Sequence, residues 1–308
     1  MTRGGGNVKH GAVFFRSDLW GGGFWRKIAG LNLKKTGRLR WLRGRPLPFA
    51  RVGLPDLVGR IDVCSVVEAS MTTKDKVLFI LTSHSRLGDT GRVTGFFFEE
   101  MAVPYYALLR AGYDVDIASI RGGAAPVDPA SLKDTGENDP AVDRFLNDTK
   151  AMRKLSTTKS IDRVDVDAYV GAFIPGGHGA AWDMPGNDVL GSILSTIWAR
   201  GGVIGAVCHG VNALIGVVDE RGVPLVQGRV VNGFTNSEER AVELDLAVPF
   251  LLESRLRQLG ARFERGDDFH AFAVHDGRLV TGQNPASSRA VAEEMIAALD
   301  VQRKQRAA

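Results

Sequence analysis

From Met71 onward the sequence predicts an α/β domain, a mostly parallel sheet sandwiched between helices. Three observations carry that expectation. Short apolar runs without polar alternation, such as Val77–Leu81 (VLFIL) and Val203–Val207 (VIGAV), are what strands buried on both faces require. Helical spacing follows in Gly95–Arg110, where Phe97, Met101, Pro104, Tyr105 and Leu108 fall on one stripe. Glycine-rich loops then join strand ends to helices, and the alternation repeats along the chain.

Taken in order, Val77–Leu81 is the first strand and Gly95–Arg110 the first helix, which Gly112 ends. Asp114–Ser119 is the second strand. A turn-rich stretch, 121–131, leads to a polar helical segment over about 135–156, so that 121–156 reads as a cap or insertion. Ala168–Ile174 is a strand that ends in Pro175-Gly-Gly-His178-Gly179. Asp188–Arg200 is an amphipathic helix, Val203–Val207 a buried strand, and 211–217 the helix that follows it. Strands near 229–233, 271–275 and 278–281 alternate with helices near 248–259 and 286–299.

Composition narrows the class further. The 308 residues are 44% hydrophobic and 24% charged, as in a soluble globular chain. No apolar run approaches the roughly 18 to 20 residues of a membrane helix. Two cysteines predict a reducing, cytoplasmic setting and exclude a disulfide scaffold. The net charge of +4 hides an asymmetry, because residues 1–70 carry 13 Lys/Arg against 4 Asp/Glu. The remainder is mildly acidic and offers no footprint for nucleic acid. Residues 1–70 have no sustained periodicity and read as a poorly ordered basic extension. An arm for anionic surfaces and a targeting segment are the other readings. Cys64, within it, receives no role.

The sharpest chemical feature is Ala206-Val207-Cys208-His209-Gly210. Small residues two before and two after Cys208 let a strand turn abruptly into a helix, the device of the nucleophile elbow. Such a turn exposes the side chain at the carboxyl edge of the sheet. There a helix N-terminus and backbone N–H groups are expected to favour thiolate. The Gly176-Gly177-His178 loop belongs at the same edge, where the Gly177 and His209 N–H groups are suited to an oxyanion hole. Glu99-Glu100, early in the first helix, supplies a carboxyl whose pKa a dry pocket would raise, so that it donates a hydrogen bond to sulfur.

The stretches ILTSHSRLGDTGRVTGFFFEE at Ile80, PYYALLRAGYDVDIAS at Pro104, IPGGHGAAWDMP at Ile174, AVCHG at Ala206 and TGQNPASS at Thr281 resemble the ThiJ/PfpI superfamily. This is the class I glutamine amidotransferase-like group. Within it the chain is similar to the branch of heat-shock chaperones that also act as glyoxalase III, over 74–300.

The resemblance implies a flavodoxin-like fold and conversion of methylglyoxal to lactate, without cofactor or metal. It implies Cys208 as nucleophile, His209 beside it, Glu100 (four before Pro104) as the conserved glutamate, and Gly176, Gly177 and His178 against the substrate. Glu239 is implied as the partner of His209, with Glu238 the neighbouring alternative. Implied partners are a small α-oxoaldehyde, a second copy in a homodimer, and unfolded or glycated proteins, with no nucleic acid or membrane.

A holdase chaperone is the competing class, with Trp182, Phe96–Phe98 and 121–156 as its candidate surfaces. Cysteine peptidase and oxidation sensor are further alternatives. The distal histidines, His270-Ala-Phe and His275-Asp-Gly, lack the His-x-Glu pair of true amidotransferases.

Overall fold

The computed structural model describes residues 74–307. The expectations for residues 1–70 and for Cys64 lie outside them. The first strand, β1 (Lys76–Leu81), leads into helix α1 (Phe98–Arg110) and strand β2 (Asp114–Ser119). Helices α2 (Pro140–Asn147) and α3 (Thr149–Ser156) then bring the chain to the short strand β3 (Lys159–Ser160). Next come β4 (Tyr169–Ile174), α4 (Ala180–Asp183), α5 (Asp188–Ala199) and β5 (Val203–Val207), the last running directly into a 3₁₀ turn, Cys208–Leu214. The remainder comprises β6 (Val230–Val231), α6 (Asn236–Ala241), α7 (Leu252–Gln258), β7 (Arg262–Phe263), β8 (Ala273–Asp276), β9 (Leu279–Gly282) and α8 (Ser288–Ala307).

Seven strands form one sheet in the order β3-β2-β1-β4-β5-β9-β8, parallel throughout except where β8 meets β9. The separate pair β6–β7 is also parallel. The unbroken apolar runs now have a cause, because each central strand is covered on both faces. Leu78 and Ile80 of β1 join Ala172, Ile174, Ile204, Leu194 and Trp198 in a core beneath α5. Phe79, pointing the other way, packs on Phe173 (ring centroids 4.9 Å) and on Tyr105 of α1 (6.2 Å).

Several expectations change. The segment over 135–156 is two helices, because the Asp148 carboxyl accepts the N–H groups of Lys150 and Ala151 and starts α3 afresh. In place of a helix over 211–217, the buried 3₁₀ turn Cys208–Leu214 follows β5. Its tight winding suits a wholly buried connection, and the Asn212 amide donates to the His209 carbonyl to satisfy it. Phe96 and Phe98 are core residues, with Phe98 against Phe145, so that run presents little surface to a client chain. Among the described residues, no helix is long and apolar enough to cross a membrane.

Candidate active site

Parallel pairing brings the carboxyl ends of β1, β4 and β5 to one edge, and the loops beyond them build the site. Cys208, the first residue after β5, has φ +56°. A non-glycine residue in that region is strained, and here the strain turns the thiol toward the edge. The turn closes only if its neighbours are glycine. A Cβ on Gly210 would lie 2.2 Å from the Ile174 carbonyl oxygen. One on Gly176 would lie 2.7 Å from the His209 nitrogen, 2.8 Å from that of Gly210 and 2.8 Å from Glu100 Oε2. The glycine loop after β4 and the elbow after β5 are therefore pressed backbone to backbone.

His209 turns back on the thiol, with Nδ1 3.5 Å from Cys208 Sγ. On its far side Nε2 is 2.7 Å from Glu239 Oε2. The other oxygen of the same carboxylate, Oε1, is 3.0 Å from His178 Nε2. A carboxylate only accepts, so each imidazole carries its proton on Nε2. In its neutral form His209 then presents an unprotonated Nδ1 to the thiol. Burial opposes charge on Glu239, but His209 and His178 outweigh it and hold its pKa far below the usual carboxylate range. Burial and the neighbouring His209 lower that of His178. The His178 and His209 rings stand 4.1 Å apart, and Phe234 lies 4.7 Å from His209.

The fold gathers His178, His209 and Glu239, distant in sequence, so that their ligand-capable atoms lie within 4.8 Å of one another. His178, which the resemblance sets against the substrate, has its Nε2 turned to Glu239.

Glu238 and Glu239, adjacent in sequence, part company in the fold. Thr235 caps α6 and forms a reciprocal capping box with Glu238, whose side chain faces away from His209. Glu239, one residue on, is left to point at the imidazoles. The Thr-x-x-Glu spacing was a readable signal of this division.

On the opposite side of the thiol, Glu100 is wholly buried in the first turn of α1, while Glu99 is half-buried. Glu100 Oε2 accepts the Gly176 N–H at 2.6 Å. Oε1 has no hydrogen-bond partner among the described residues. Burial raises the pKa of Glu100 to about 8, against the lowering by the Gly176 and Cys208 hydrogen bonds. At neutral pH the carboxyl is therefore mostly protonated and able to donate.

The thiolate expected from a helix dipole is not what the structure gives. Burial, and next the charged form of Glu100, push the Cys208 thiol well above its ordinary value, and the His209 N–H only partly offsets them. The physical reason is that the site is dry and a short 3₁₀ turn stands where a long dipole was expected.

Residues 94–298 match the model of the DJ-1/PfpI family. The chain belongs to that family. The glutathione-independent glyoxalase HSP31 of Saccharomyces cerevisiae is 32% identical over 231 residues, covering 73% of this chain and 98% of that one. Among solved structures, glyoxalase III of Candida albicans is 30% identical with a TM-score of 0.66, over 73% of this chain and 97% of that one. The Rapid Encystment Protein 24 KDa of Francisella tularensis is 36% identical with a TM-score of 0.70, over 73% and 99%. DJ-1/PfpI membership agrees with the parallel sheet described above.

Proposed function

We propose that this DJ-1/PfpI protein converts methylglyoxal and related small 2-oxoaldehydes to 2-hydroxy acids without glutathione. The observation that carries the reading is one buried thiol held between a protonated carboxyl, Glu100, and an imidazole, His209, oriented by Glu239. The names of the relatives from yeast and Candida point the same way.

The geometry suits the following sequence. His209 Nδ1 takes the thiol proton as Sγ bonds to the aldehyde carbon, and the electron pair of the carbonyl moves to oxygen. That oxygen is within the province of the Gly177 and His209 N–H groups. Among the described residues the Gly177 N–H has no acceptor of its own. Protonation of the oxygen gives a hemithioacetal. A base then removes the hydrogen on the former aldehyde carbon, and the electron pair flows toward the keto oxygen to give an enediol. Reprotonation at the adjacent carbon leaves a thioester, so the first carbon is oxidised and the second reduced, with no external oxidant. Glu100, protonated near neutrality, donates to or accepts from the oxygens on its side. Water cleaves the thioester, returning the thiol and releasing lactate.

The test is lactate formation from methylglyoxal by the full chain without glutathione, beside Cys208→Ala. Turnover that falls at least about 10³-fold in the variant is expected. Wild-type turnover that persists in Cys208→Ala, or no turnover by wild type, overturns the reading.

A further inference from the structure

Cys208 is one of three non-glycine residues with φ in the left-handed region among the described residues; the others are Glu243 at +59° and Phe269 at +61°. For Cys208 the strain serves the elbow. Phe269 calls for an equivalent reason, because an aromatic residue there is a steric outlier and the residue is also 47% exposed. Neither the backbone strain nor the wet apolar surface favours the fold.

The conformation is held from beneath by Glu238. Phe269 N–H donates to Glu238 Oε1 at 2.7 Å, and the same oxygen accepts from Gln283 Nε2 (3.0 Å) and Asn284 Nδ2 (2.8 Å). The other oxygen, Oε2, is fixed by the Thr235 N–H and hydroxyl, both at 3.0 Å. The first turn of α6 thus serves two purposes: Glu239 orients His209, and Glu238 fixes Phe269. From the imidazole outward the rings form a row, with Phe234 4.7 Å from His209 and Phe269 6.3 Å from Phe234.

We propose that Phe234 and Phe269 form an aromatic wall at the mouth of the site that selects 2-oxoaldehydes whose keto carbon bears an aryl or extended apolar group. The inference rests on the oxoaldehyde reading above and adds a substrate class to it. The methyl group of methylglyoxal is too short to span the row of rings. A phenyl group extends along it, stacks or meets the rings edge-on, and covers the exposed face of Phe269. Phe269 is then a specificity-determining residue, and Glu238 a positioning residue that acts through it.

The experiment measures kcat/KM for phenylglyoxal and for methylglyoxal with the full chain, its Phe269→Ala, Phe269→Gly and Phe269→Tyr variants. The phenylglyoxal-to-methylglyoxal ratio is expected to fall about fivefold to tenfold in both the Ala and Gly variants. It should stay within about twofold of wild type in Phe269→Tyr, which keeps the ring. Glycine relieves the positive φ and alanine does not, so a loss common to both belongs to the ring and not to the backbone. An unchanged ratio, a parallel fall of both constants, or a loss in Tyr equal to that in Ala overturns the wall. Turnover of neither aldehyde by wild type overturns the oxoaldehyde reading itself, a result separate from any change in ratio.

Discussion

Glu100 and Glu239 stand on opposite sides of one cysteine–histidine pair, are buried to nearly the same degree, and titrate in opposite directions. Burial raises the pKa of any carboxyl, so burial alone cannot separate them. Neighbours do. Glu239 faces two imidazoles and is held ionised. Glu100 faces a backbone N–H and a thiol, with no cation against it among the described residues, and burial keeps it protonated to about pH 8. One carboxyl thereby becomes a fixed negative charge and the other a proton donor, the separation that assigns acid and base roles within one site. The thiol between them belongs electrostatically to the Glu100 end. A thiolate and a Glu100 carboxylate would be two like charges in a dry pocket, so an ionised Glu100 raises the pKa of the thiol further.

The largest test of this contrast is at the charged end. Glu239→Gln replaces one acceptor oxygen by a donor NH₂, so one of the two imidazoles must shift its proton from Nε2 to Nδ1. Where that imidazole is His209, the nitrogen facing the thiol can no longer take its proton. Activity is expected to fall about 10²- to 10⁴-fold while the fold is retained, as measured by steady-state kinetics beside circular dichroism. A variant of near wild-type rate would show that the carboxylate charge does not orient His209. At the other end, Glu100→Gln keeps a hydrogen-bond donor beside sulfur but removes the proton that moves. The expected loss is about 10- to 10²-fold in kcat/KM, smaller because one of the two functions survives. Equal losses in the two variants would abolish the distinction between the ends.

The parts of this site differ in how far the chain announces them. The elbow was legible because its cause is local: a strand, a small residue, Cys208 and Gly210 within five positions. Glu100 was legible only through the resemblance, which sets it four before Pro104, since the residues alone left Glu99 and Glu100 equal. Thr235 and Glu238 carried a capping signal that frees Glu239 for the site. The bond between His178 and Glu239 was not legible, because it joins residues 61 apart through the packing of two loops. Nor was the titration of Cys208. Local sequence supplies N–H groups, but the depth of burial that outweighs them is set by the whole fold. The left-handed backbone of Phe269 is likewise imposed from a distance, by the carboxyl of Glu238.

The smallest expected effect is the one that isolates the Glu100 proton from catalysis. Its folded pKa of about 8 lies above the ordinary value of 4.5. Between those two pH values the unfolded chain has released the proton and the folded chain still holds it. The stabilisation from protonated Glu100 is therefore complete below about pH 4.5, declines as pH rises, and is gone above about pH 8. The slope is at most about 1.4 kcal/mol per pH unit for one proton. Glu100→Gln cannot release a proton, so its stability lacks this component. Denaturant unfolding at pH 5, 6, 7 and 8 should show wild type losing stability relative to the variant at each step, with no further change from this group above pH 8. The Glu239 end runs the other way: its lowered pKa contributes stability that is present above pH 4.5 and lost in acid. Glu239→Gln should therefore differ most from wild type near neutrality and converge on it as pH falls. If the two variants instead diverged from wild type with the same sign of pH dependence, the opposite titration of the two glutamates, and the acid and base roles built on it, would be wrong.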